Sequence, residues 1–274
     1  MSEENKENIQ AEDWSSLSFL PPKREDEEAK KEFPTMSKGE RIFRISTLAL
    51  GISCFITLIV LAFIYAFVGN PSFDYDKGYG ILGFTIFILT VLAGSFVIIM
   101  HFIYDLKFVN TEKAPQFKII SRVSVYLFLG LLYTTFALIP LRSDVLNIVE
   151  IFSYSGLLLM IGVWAIVITL TVFEFVSKKD GLKKSLYLAA IAILPLIILC
   201  FSSILIKNYS MASIPSVWLL SFSALTFIIS SLFFLNDKKT TGARSAGNFF
   251  LLASMVMELS AVLYYSMITA SPLY

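Results

Sequence analysis

Long apolar blocks run through most of this chain, separated by short polar stretches. A helix that crosses the hydrocarbon core of a bilayer needs roughly 20 apolar residues. Seven segments reach that length, at about 42–68, 80–104, 119–141, 148–173, 185–206, 214–235 and 246–269. The connections between them span only about 7–14 residues, too short for a soluble domain. The pattern predicts an all-α, polytopic membrane protein with a polar tail over residues 1–40 and a seven-helix domain over 41–274.

Lys and Arg near the span ends set the expected orientation. Lys38, Arg41 and Arg44 fall around the start of the first span, and Lys107, Lys113, Lys118 and Arg122 around the second connection. Lys178, Lys179, Lys183 and Lys184 mark the fourth connection, and Lys238, Lys239 and Arg244 the sixth. The alternate connections hold one base each, Lys77, Arg142 and Lys207. Every connection agrees with an N-terminus in the cytoplasm and a C-terminus outside. That orientation speaks against G-protein-coupled receptors and microbial rhodopsins, and the last span has no lysine to hold retinal. The first apolar run begins near Ile42 with no small-residue cleavage pattern after it, so it is expected to stay as an anchor.

Composition sharpens this division. The chain of 274 residues is 56% hydrophobic, above the roughly 45–50% apolar share of soluble domains. Residues 1–44 hold 11 of the 21 acids and 8 of the 22 bases. The tail lacks the material for a core and is expected to be mostly disordered. Within it, Trp14, Leu17, Phe19 and Leu20 form an apolar segment suited to docking on a protein partner or the bilayer surface. The net charge of +1 gives no basic patch, so nucleic acid is not an expected partner. The bilayer is one, and the bundle is compatible with homo-oligomers. The Lys-, Phe- and Ile-rich usage points to a bacterial cytoplasmic membrane. Cys54 and Cys200 both fall in apolar spans and read as buried thiols behaving as small hydrophobes.

Residues three, four and seven apart share a helix face. On the last span Gly247, Ser254, Glu258, Ala261, Tyr265 and Thr269 line one face, while Phe249, Leu252, Val256, Leu259 and Leu263 line another. Similar small and polar stripes run through Thr90, Gly94, His101 and Asp105, and through Arg122, Tyr126, Gly130 and Tyr133. Others join Ser155, Gly162, Ala165 and Thr169 on span four, and Ser216, Ser223, Thr226 and Ser230 on span six. Such stripes let helices approach closely in bundles of any function.

Glu258 stands at the centre of an apolar run, roughly 14 Å from either edge at about 1.5 Å per residue. No base lies at its depth on any other span, so it is expected to sit as a neutral acid held by Ser, Thr or Tyr. Acids inside the membrane serve proton relays or cation sites, or glue helices together. Ser254, Tyr265, Tyr126, Tyr133 and Thr226 are its expected polar company. Pro195 frees a backbone carbonyl at the same depth. His101, Asp105 and Arg122 gather at the cytoplasmic end as a gate or a seal, and Glu174 beside Lys178 reads as an ordinary interfacial pair.

Enzyme chemistry is not expected. A single histidine excludes bis-histidine haem and multi-histidine zinc sites, and no GxSxG, HExxH or Walker pattern is present. No metal or other cofactor is implied. Two functions fit: solute or ion translocation with Glu258 as titrating residue, or a non-catalytic membrane subunit whose tail recruits a partner.

Overall fold

In a computed structural model the chain is all-helical, and residues 37–64, 79–105, 114–138, 146–206, 214–236 and 241–269 are described. Seven helices follow in order: α1 (Lys38–Ile64), α2 (Tyr79–Ile103), α3 (Ala114–Leu138), α4 (Leu146–Val176), α5 (Asp180–Ile206), α6 (Ile214–Leu235) and α7 (Thr241–Thr269). All seven are long and apolar enough to cross a membrane. The docking segment Trp14, Leu17, Phe19 and Leu20 lies outside the described residues, as does the side chain of Tyr265.

Six helices close a ring in the order α1, α2, α3, α5, α6, α7, with α7 returning to α1. Across the middle, α7 also meets α2 and α3, while α4 lies outside the ring, mainly against α3. This arrangement corrects two expectations. On α7 the second face is buried as well, with Leu252, Leu259 and Leu263 inside, because neighbours surround it on four sides. On α4 the small-residue stripe faces outward: Gly162, Ala165 and Thr169 are exposed, and Val163 and Val167 carry the packing. A helix with one principal neighbour buries one apolar seam, and its small residues have nothing to approach.

The joints are specific. Gly130 leaves room for the Trp164 indole, 3.3 Å from where a Cβ would stand, and Trp164 Nε1 donates to Thr134 Oγ1 at 2.8 Å. Thr90 and Thr135 share a hydroxyl bond of 2.9 Å between α2 and α3. Gly247 lets the Phe234 ring approach to 2.9 Å from its would-be Cβ, and Ser230 Oγ donates to the Gly247 carbonyl at 2.8 Å. Such small-residue contacts are how helices associate where burial from water supplies no drive.

Four helices begin a turn before their apolar runs. At α1, Ser37 Oγ caps the helix by accepting from Glu40 N–H at 3.2 Å, with Glu40 in the position of a capping box. Helices α3, α5 and α7 extend back to Ala114, Asp180 and Thr241. These polar turns supply much of the charged layer described next. The thiol of Cys200 is exposed on the outside of α5 and that of Cys54 half-buried, which corrects the buried reading of both.

Candidate functional site in the helix bundle

The six-helix ring buries two polar levels, one around Glu258 and one at the end where the chain enters α1. Glu258 is 1% exposed, in the closely packed seam between α6 and α7. Ser223 Oγ donates to Glu258 Oε2 at 2.5 Å, and the Ser254 carbonyl lies 3.0 Å from the same hydroxyl. A serine hydroxyl has one hydrogen to give. When Glu258 is a carboxylate, Ser223 donates to it and releases the Ser254 carbonyl. When Glu258 is a neutral acid, its own O–H can donate to Ser223, which then donates to Ser254. The triad therefore accommodates both protonation states by turning one hydrogen.

The company of Glu258 continues along the seam. Ser254 Oγ donates to Thr226 Oγ1 at 2.8 Å, and Thr226 reaches the Ser223 carbonyl at 2.9 Å. Tyr133 on α3 lies within electrostatic range of Glu258. Its hydroxyl donates to the Leu194 carbonyl at 2.8 Å, directly before Pro195, where α5 continues without that residue's N–H. Ser254 and Thr226 thus line the seam with Glu258, Tyr133 faces it from α3, and Pro195 lies on α5 beside the carbonyl that Tyr133 holds; no cation bonds Glu258 among the described residues. Tyr126 does not join them and belongs to the charged level.

At that second level the expected trio His101, Asp105 and Arg122 is divided among different partners. Helix α2 widens into a π turn at Tyr104–Asp105, a distortion frequent at functional sites. Asp105 there pairs with Arg244 Nε at 2.5 Å and Arg44 Nη1 at 3.6 Å, and accepts from Asn248 Nδ2 at 2.5 Å. Arg44 is 2% exposed; it donates to Ser245 Oγ at 2.7 Å and Glu40 Oε1 at 2.9 Å. This group ties α1, α2 and α7, and its two cations meet two carboxylates.

Arg122 belongs to a second group. Its Nη1 lies 3.3 Å from Glu174 Oε2, and Tyr126 O–H donates to Glu174 Oε1 at 3.2 Å. Lys183 Nζ donates to the Glu174 backbone carbonyl at 2.6 Å, at the negative end of α4. Glu174 is 1% exposed, so the reading of an interfacial pair with Lys178 is corrected: the chain turns it inward onto α3. His101 stands between the groups. Its Nδ1 faces the Val97 carbonyl at 2.9 Å, which requires a hydrogen on Nδ1. In the neutral ring Nε2 then accepts from Tyr187 O–H at 2.9 Å. Phe234 from α6 packs on both rings, and the Arg122 guanidinium lies 5.6 Å from the Tyr187 centroid.

Sequence reasoning missed Arg44, Glu40, Arg244, Ser245 and Asn248 as a group, and Lys183 and Tyr187 as partners. Arg44 carried the one available signal, a base inside the first apolar span. Among the described residues, no three of His, Cys, Asp and Glu come together as a metal set. Taken together, these features define a seven-helix, membrane-type protein with a buried acid at mid-bundle and an ion-paired layer at one end. Compared with known proteins, the chain matches no family model, no curated protein and no solved structure.

Proposed function

We propose that this is a multi-pass protein of the cell membrane, N-terminus inside and C-terminus outside, that moves an ion or solute in a proton-linked step, with Glu258 taking up and releasing the proton. The observation that carries the reading is the Glu258–Ser223–Ser254 triad: a carboxyl 1% exposed, bonded by a hydroxyl and by no cation among the described residues. An acid held only for stability is commonly matched to a base, as Glu174 is here. The orientation rests on the distribution of Lys and Arg.

The test needs no substrate. Purified protein in liposomes is treated with a carbodiimide that modifies protonated carboxyls in apolar surroundings, and Glu258 is followed by mass spectrometry across pH and with added sodium. Labelling that falls as pH rises, or that a cation blocks, supports the reading. No labelling at any pH sinks it.

One observation favours a second reading. Glu258 lies in the closely packed α6–α7 seam, where a carboxyl bonded to a serine also serves as interhelical glue. In that case the protein is an accessory membrane subunit whose tail recruits a partner. Deleting residues 1–36 then abolishes its role and leaves the bundle intact.

A further inference from the structure

The two charged groups at the end of the bundle differ in balance. Around Asp105, two arginines meet two carboxylates. At the corner where α4 turns into α5, six bases stand on the turn and the helices that meet there: Lys118 and Arg122 on α3, Lys178 and Lys179 in the turn, and Lys183 and Lys184 on α5. Against them the same stretch places Glu174 and Asp180. Glu174 is already engaged by Arg122 and Tyr126, and Lys183 by the Glu174 carbonyl. Lys178 and Lys179 lie in the turn itself, and both are exposed.

The surroundings place this surplus of positive charge at a definite depth. Directly beside the turn, Val172, Phe175, Val176 and Leu182 are 54%, 66%, 75% and 47% exposed. Exposed apolar side chains on a membrane-spanning helix face lipid tails. The turn is therefore held where hydrocarbon ends and headgroups begin. The turn itself is ordered by its own bonds: Lys179 N–H donates to Ser177 Oγ at 3.2 Å, and Lys183 N–H donates to the Lys179 carbonyl at 3.1 Å.

We propose that the α4–α5 corner binds the phosphate of an anionic phospholipid, with Lys178 and Lys179 gripping the headgroup and its acyl chains lying along Val172, Phe175 and Val176. The Arg122–Glu174–Lys183 cage sits behind it as a rigid support and adds positive potential from below. The site is independent of Glu258 and of any transport step. A lysine at an anionic lipid surface is expected to change apparent affinity about fivefold, and two about thirtyfold.

The experiment uses the full chain, delipidated in detergent, with native mass spectrometry during titration of phosphatidylglycerol or phosphatidylcholine. Retention of phosphatidylglycerol about thirtyfold above phosphatidylcholine is expected. Lys178→Gln with Lys179→Gln should reduce that retention about thirtyfold. Lys38→Gln, an exposed lysine at the start of α1, should leave it unchanged. Equal retention of the two lipids overturns the site, and so does a Lys38→Gln loss as large as that of the turn variant. Competition by inorganic phosphate alone, at concentrations matching the lipid, would assign the corner to a soluble anion and overturn the lipid.

Discussion

Replacing Glu174 with glutamine removes one negative charge while keeping a side chain that still accepts from Tyr126 and Arg122. Both partners are buried, Arg122 at 5% exposure and Glu174 at 1%, with 3.3 Å between the closest charged atoms. At an effective dielectric near 20, that separation corresponds to about 5 kcal/mol of attraction. Removing one member of a buried pair costs about 3–5 kcal/mol, because the other charge stays out of water without its counter-ion. At about 2–4 °C per kcal/mol for a chain of this size, the unfolding midpoint should fall by about 6–20 °C. The assay is thermal unfolding in detergent, followed by near-ultraviolet circular dichroism and by loss of monodispersity. Arg122→Met with Glu174→Met removes both charges and should recover most of the loss, since an apolar replacement of a buried pair is close to neutral. Asp180→Asn, at an exposed acid nearby, should change little. If Glu174→Gln unfolds with the wild type, or if the double variant is as unstable as the single one, the buried-pair account is wrong.

Glu258→Gln should keep the fold, because the amide can take both hydrogen-bond roles of a neutral acid toward Ser223, while proton uptake into liposomes is lost; retained uptake would exclude Glu258 as the titrating group. Gly247→Ala should lower the unfolding midpoint, since the new methyl would stand 2.9 Å from the Phe234 ring, whereas Gly162→Ala, with open space around it, should be neutral or slightly stabilising. Tyr187→Phe deletes the hydroxyl that meets His101 Nε2 and should cost about 1 kcal/mol by the same unfolding assay, with no added effect when His101 is already replaced by phenylalanine.

The seven helices were legible because an apolar run long enough to cross a bilayer has few other uses. Their starts were less so: residues 38–41, 114–118, 180–184 and 241–245 are polar or mixed, and hydropathy does not register them as helix. Those missing turns hold Glu40, Lys183, Arg244 and Ser245, four members of the charged layer. The burial of Thr90, Gly94, Tyr126, Tyr133 and Ser223 followed from helical spacing. The outward turn of Gly162 and Ala165 did not, because a stripe of small residues does not reveal whether a neighbour is there to meet it. Pairing was illegible for the same reason. Depth counts place Arg122 and His101 at one level, but only the order of helices around the ring sends Arg122 to Glu174 and Asp105 to Arg44 and Arg244.

The ring closes between its first and last members, and this bears on how the protein is made. Arg44 is synthesised 201 residues before Ser245. At ordinary elongation rates that interval is about 10–40 s. Through it the α1 guanidinium is in place with Glu40 on its own helix, while Arg244, Ser245 and Asn248 have yet to leave the ribosome. Arg44 gains Asp105 once α2 is made, but Asp105 then waits for Arg244 and Asn248 until the final helix arrives. A ribosome that stalls before α7 would release a bundle with an open seam and an Asp105 short of Arg244 and Asn248, a product for membrane quality control to recognise.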